Sequence, residues 1–182
     1  MIDWGNFRDF FTTGIPSIVL YPSLIITAVL LIVGQIWKRI NNKKTCALWI
    51  FFIEYAFIVV CSTIICRDTV FFEFDRLKLT PFWTYSSVIN HTPGVSVWDI
   101  VLNIVLFFPL GFLLKLLSPS LSLLKMLIIA VCCSVFIEIN QYVFEKGVAQ
   151  LDDIMHNTFG GIIGWFIARL LNKQAKYRSK HI

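Results

Sequence analysis

The chain has 182 residues, of which 57% are hydrophobic and 15% charged, with a formal net charge of +5 and a mean hydropathy of +0.75. Soluble domains carry nearer a quarter charged residues, so an ordinary water-soluble domain is excluded, and nucleic-acid binding is a poor reading of basic charge set in so apolar a chain. The composition suits a small bundle of membrane spans, each needing ~20 apolar residues.

Met1 to Gly14 is mixed and carries Trp4, Phe7, Phe10 and Phe11. It is expected to lie along the membrane interface as an amphipathic segment. No basic stretch precedes an apolar core there, so it does not read as a signal peptide. Ile15 to Trp37 is uncharged and forms the first predicted span. Cys46 to Cys66 is the second, broken only by Glu54. Trp98 to Leu117 is the third, with Asp99 at its start and Lys115 near its end. Leu123 to Phe144 is the fourth and contains Lys125 and Glu138. Ile154 to Leu171 is the fifth, with His156, Asn157 and a cluster of glycines. The expected fold is an all-α polytopic membrane bundle of about five transmembrane helices. Its single helical domain covers residues 15–171 and a basic tail covers 172–182.

Lys and Arg set the expected orientation. Lys38, Arg39, Lys43, Lys44, Lys115, Lys125, Arg169, Lys173, Lys176, Arg178 and Lys180 fall on one side of such a bundle. Arg8, Arg67, Arg76, Lys78 and Lys146 fall on the other, which accounts for all 16. The excess of basic residues places the C-terminus in the cytoplasm and the N-terminus outside. A membrane location is expected, with lipid contact through the basic face. Cys46, Cys61, Cys66, Cys132 and Cys133 all lie in predicted spans. Their odd number and their spacing argue against a disulfide framework or a zinc site, so buried thiols are expected. No metal and no cofactor is implied.

Polar groups recur at one depth. Glu138 lies ~9 Å below the outer end of the fourth span and Gln141 shares its face. Asp153 and Asn157 are four apart on the fifth, with Asn157 ~6 Å inside the outer end. Asp99 and Asn103 repeat that spacing on the third. Charges inside a bilayer cost several kcal/mol and mark functional sites by default, so these groups are expected to face one another. Arg67, at the end of the second span, is a candidate partner for Glu138 or Asp153. Gly160 and Gly164 have the spacing that lets two helices approach closely, and Pro109 with Gly111 is expected to kink the third span. Trp83, Tyr85, Trp98 and Tyr142 read as interfacial anchors. Asp152 or Asp153 also suits a helix start as a cap.

Four stretches, LTPFWTY (Leu79 to Tyr85), NIVLFFPLGFLL (Asn103 to Leu114), FIEINQY (Phe136 to Tyr142) and DDIMHNTFGGIIG (Asp152 to Gly164), together resemble the VanZ-like family of bacterial membrane proteins. The resemblance runs from about Arg67 to Gly164. It implies family positions at Arg67, Asn103, Pro109, Gly111, Glu138, Gln141, Asp153, Asn157, Gly160 and Gly161. Many members carry an acid where this chain has Gln150. The family's namesake is linked to low-level teicoplanin resistance, which implies a role at the cell envelope rather than a defined reaction.

Two functions fit these residues. The first is a binding or protective membrane protein whose outward polar pocket engages envelope lipid, a precursor or a glycopeptide. The alternative is a membrane enzyme acting on an envelope lipid, with Glu138 or Asp153 as acid or base and Arg67 holding a phosphate. No serine–histidine or cysteine–histidine constellation, HExxH or glycine-rich phosphate loop supports the alternative, so no catalytic residue is assigned and the binding role is favoured.

Overall fold

The computed structural model of the protein describes residues 26, 27, 29, 30, 33, 43–65 and 76–178. The expected interfacial segment, most of the first predicted span, Cys66 and Arg67 lie outside these residues. In chain order the elements are α1 (Lys43–Val60), a π-helical turn (Cys61–Ile65), β1 (Leu77–Lys78), α2 (Trp83–Ile89), α3 (Val97–Leu117), α4 (Leu123–Val143), β2 (Ala149–Gln150) and α5 (Leu151–Arg178). The described chain is therefore mostly helical.

Three helical stretches among the described residues are long and apolar enough to cross a membrane: Lys44–Ile65, Val97–Leu117 and Leu123–Val143. They coincide with the second, third and fourth predicted spans. Their outward faces carry Phe51, Val105, Ile128 and Phe136, all exposed. Large apolar side chains facing outward on long helices fit lipid as the solvent. The fifth predicted span is a helix but is not among the three. Asp152, Asp153, His156, Asn157 and three glycines dilute its apolarity, and it runs on through Lys173 to Arg178. Its polar residues are covered by protein instead, because α5 packs against α3 more extensively than any other described pair of elements.

That packing follows from four glycines. A Cβ on Gly160 would overlap the Ile104 carbonyl oxygen, one on Gly164 the Phe108 carbonyl oxygen, and one on Gly111 the Gly161 carbonyl oxygen. The α3 and α5 backbones thus touch directly. Gly161 is looser, since its Cβ would meet Met126 Cε at 3.2 Å and Ala130 Cβ at 3.3 Å. Around the seam lies the apolar core of Phe107, Leu110, Met126, Ala130, Ile137 and Trp165. Pro109 sits inside α3, which continues through it to Leu117. It offers no N–H to the Val105 carbonyl one turn earlier. One residue further on, the Leu106 carbonyl accepts the Tyr55 hydroxyl of α1 at 2.8 Å.

Each end of the bundle is tied by specific polar contacts. Ser96 and Asp99 form a capping box at the start of α3, where Asp99 Oδ2 accepts the Ser96 N–H at 2.6 Å. Asp99 is exposed and occupied there, so it does not join Asn103 in an inward-facing pair as its spacing suggests. At the opposite end Lys115 is buried rather than spread on the surface. Its Nζ donates to the Pro119 and Leu121 carbonyls at 2.6 and 2.7 Å and lies 5.1 Å from the Trp165 ring. The thiols are also less uniform than expected. Cys46 and Cys61 are buried, whereas Cys132 is exposed on the outer face of α4. Glu54, isolated within the second span, accepts a hydrogen bond from the Thr27 hydroxyl.

Candidate functional site

The start of α3, the end of α4 and the start of α5 meet at one end of the bundle. Their polar side chains pair there between helices. Asn103 Nδ2 on α3 donates to Asp153 Oδ1 on α5 at 2.7 Å. Asn157 Nδ2, one turn along α5, donates to Ser134 Oγ on α4 at 2.8 Å. Glu138 Oε2 accepts the backbone N–H of Gln150 at 2.8 Å. Gln141 Nε2 reaches the Thr63 carbonyl at 3.0 Å. That carbonyl lies in the π-helical turn ending α1, where the wider winding leaves the regular i to i−4 ladder. Glu138, Gln141, Asp153 and Asn157 are all at most 8% exposed. Two carboxylates at that burial are stable only with close polar partners.

A second set of contacts clamps the loop after β1 onto α5. The parallel pair sets Leu77 opposite Ala149 and Lys78 opposite Gln150, and the Ala149 N–H donates to the Arg76 carbonyl at 2.9 Å. Asp152, 2% exposed, then accepts the N–H of Phe82 at 2.7 Å on one oxygen and of Thr84 at 2.8 Å on the other. Phe82 precedes α2 with φ of 62° and provides no side-chain cap. Asp152 is therefore the cap of α2, supplied from another element. Of the two acids at the start of α5, one caps a neighbour and the other pairs with Asn103. Tyr85 Oη and His156 Nε2 are 2.9 Å apart, and Thr84 Oγ1 donates to Gln150 Oε1 at 3.3 Å. Tyr85, expected as an aromatic anchor, is a hydrogen-bonding partner of His156.

Beside this clamp lies a cavity of about 280 Å3, lined on α4 by Val135, Glu138, Ile139 and Tyr142 and on the facing side by Leu77, Leu79, Gln150 and Ile154 among others. Glu138 is the one acid in its wall among the described residues. Gln150 contributes its backbone N–H to Glu138 and its side-chain oxygen to Thr84.

The VanZ/LLP1 family model matches residues 18–172, well over half of the chain. The chain belongs to the VanZ/LLP1 family. It is similar to Protein VanZ of Enterococcus faecium, 27% identical over 107 residues that make up 57% of this chain. The match spans 66% of that relative, just under two thirds of its length. No solved structure matches the chain.

In this VanZ/LLP1 chain the residues singled out in the sequence divide into groups. Asn103 and Asp153 are in direct contact. Glu138 and Asn157 each bond to a neighbour that the pattern did not single out, Gln150 and Ser134. Gln141 turns to α1. Gly111, Gly160, Gly161 and Gly164 belong to the α3–α5 seam further along the bundle, and Pro109 lies inside α3. Arg67 lies outside the described residues. The sequence reading passed over Asp152, Ser134, Tyr85 and His156 as members of this network. The Asp-Asp pair was the available signal for Asp152, since two adjacent acids on a helix point to different neighbours. Gln141 Oε1, His156 Nδ1, Asn157 Oδ1 and Thr158 Oγ1 are buried without a hydrogen-bond partner among the described residues. Among those residues no group of three or more His, Cys, Asp or Glu gathers as a metal cradle.

Proposed function

We propose that this VanZ/LLP1 protein is a binding or protective component of a bacterial cytoplasmic membrane, engaging an envelope lipid, precursor or glycopeptide at the Glu138 end of the bundle. One observation carries the reading. Glu138 is a carboxylate only 6% exposed, and it stands in the wall of a mostly apolar cavity. An acid kept inside a membrane bundle is functional by default, and a concave, mainly apolar site with few polar groups suits a small amphiphile. A role in teicoplanin-type resistance is part of the proposal.

Glu138→Gln is the test. Glutamine keeps the shape, and its Oε1 still accepts the Gln150 N–H, but the charge is gone. The expected result is loss of the envelope phenotype, read as teicoplanin susceptibility, at normal membrane abundance. A fully active variant would reduce Glu138 to a helix–helix contact. The orientation belongs to the same proposal, with the Glu138 end outside and the C-terminus in the cytoplasm, following the basic-residue bias. A reporter fused after Ile182 should read as cytoplasmic and one within residues 90–95 as external. The reverse pattern would place the cavity on the wrong side.

A further inference from the structure

The cavity beside Glu138 has a mouth with a definite environment. Leu77, Leu79, Ile139 and Tyr142 form its rim and are 47%, 61%, 56% and 44% exposed. Val135 and Ile139 sit on α4 within the stretch Leu123–Val143 that is long and apolar enough to cross a membrane. At 1.5 Å per residue they lie ~12 and ~6 Å below the last helical residue, Val143. The α4 wall of the cavity therefore lies along the stretch long and apolar enough to cross a membrane, short of its end. Further exposed apolar side chains follow at Phe82, just before α2, and at Tyr85 and Ile89 on one face of it, while Thr84 and Ser87 are buried.

Charge is arranged across the rim. Arg76 and Lys78 flank Leu77. The Arg76 guanidinium lies 5.3 Å from the ring of Tyr142, a cavity residue, donates to the Tyr142 carbonyl at 3.3 Å and pairs with the partly exposed Glu145 carboxylate at 3.6 Å. Lys78 Nζ lies 5.2 Å from the Trp83 ring. Two cations against the one Glu145 carboxylate leave a positive edge beside the end of α4, which fits phosphate groups. Glu138 further in has the opposite effect on a phosphate and keeps it at the rim.

We infer that this cavity seats the hydrocarbon chain of an anionic phospholipid-type amphiphile, which enters sideways from the leaflet at this end of the bundle and leaves its phosphate at Arg76 and Lys78. The inference rests on the binding role proposed above and names the ligand class: a resident of the bilayer, reached through lipid rather than through water.

The test uses the full chain in vesicles of phosphatidylglycerol with a diazirine in the acyl chain, cross-linked by light and mapped by mass spectrometry. Adducts are expected at Leu79, Ile139 and Ile154. Ile154→Trp, which fills the cavity, should lower those at Leu79 and Ile139 about tenfold, equivalent to ~1.4 kcal/mol of occupancy. The apolar recess between α1 and α4, lined by Phe52, Cys133 and Phe136, reports bulk lipid and should not change. Leu79→Glu, at an exposed rim position, should act in the same direction without a packing cost. Replacing Arg76 and Lys78 together by Gln should lower the adducts formed by phosphatidylglycerol. Adducts that resist both Ile154→Trp and Leu79→Glu, or that fall equally in the α1–α4 recess, overturn the lipid seat. Unchanged adducts in the Arg76/Lys78 double variant overturn the phosphate assignment. Glu138→Gln separates this inference from the binding role: cavity adducts retained in that variant support the lipid seat whether or not the phenotype survives.

Discussion

Asp152→Ala should release the loop between β1 and α3 from the bundle. The carboxylate is 2% exposed and takes two backbone N–H groups at 2.7 and 2.8 Å, one on each oxygen. A hydrogen bond to a charged group contributes ~1.5–3 kcal/mol, so the pair sets a ceiling of ~3–6 kcal/mol. Relief of the desolvation of the buried carboxylate offsets part of that when the side chain is removed. About 3 kcal/mol remains, a factor of ~100 in the local opening equilibrium. Hydrogen exchange reads it directly. The Phe82 and Thr84 amides should exchange ~100-fold faster in Asp152→Ala than in the parent, while amides in the middle of α3 keep their protection. Asp152→Asn keeps one acceptor oxygen and turns an NH2 toward the other N–H, so it should fall between the two. Unchanged exchange at both amides in a folded Asp152→Ala protein would show that β1–β2 pairing alone holds the loop.

Gly160→Leu and Gly164→Leu should sharply lower the yield of folded protein, because each side chain would occupy space held by an α3 carbonyl; Gly161→Ala, facing the movable Met126 side chain, should be mild, and equal yields for all three would refute the backbone-contact account. Asn103→Ala and Asp153→Ala should be non-additive in stability, with a coupling of about 0.6–1.7 kcal/mol as found for interhelical hydrogen bonds in membranes. A double-mutant cycle by thermal unfolding in detergent checks it, and strict additivity would mean that the contact contributes nothing.

The helices that cross the membrane were legible because twenty-residue apolar runs have one physical explanation. Trp98 to Leu117 and Leu123 to Phe144 match α3 and α4 to within a residue. Helical spacing also put Asn103 and Asp153 near the ends of neighbouring helices, and the two side chains are in contact. Elsewhere the choice of partner was not legible. Asp152 acts on backbone groups 68 and 70 residues away, and no periodicity relates an acid on one helix to an N–H before another. Lys115 shows the same limit. Its place near the end of a span is legible, but only the short loop to Leu121 supplies the carbonyls that its ammonium bonds. The two strand residues in each of β1 and β2 are too few to leave a pattern.

The glycine seam also bears on how the protein is made. α3 emerges from the ribosome before α5, with α4 between them. α3 and α4 are apolar enough to partition into lipid alone, whereas α5 brings Asp153, His156 and Asn157 and has little affinity for hydrocarbon by itself. Its place in the bundle rests on the groove where Gly111 leaves the α3 backbone bare and where Asn103 and Ser134 meet its polar side chains. A seam mutation would then act as a biogenesis defect, leaving a chain whose earlier helices are inserted and whose last helix is stranded for quality-control proteases.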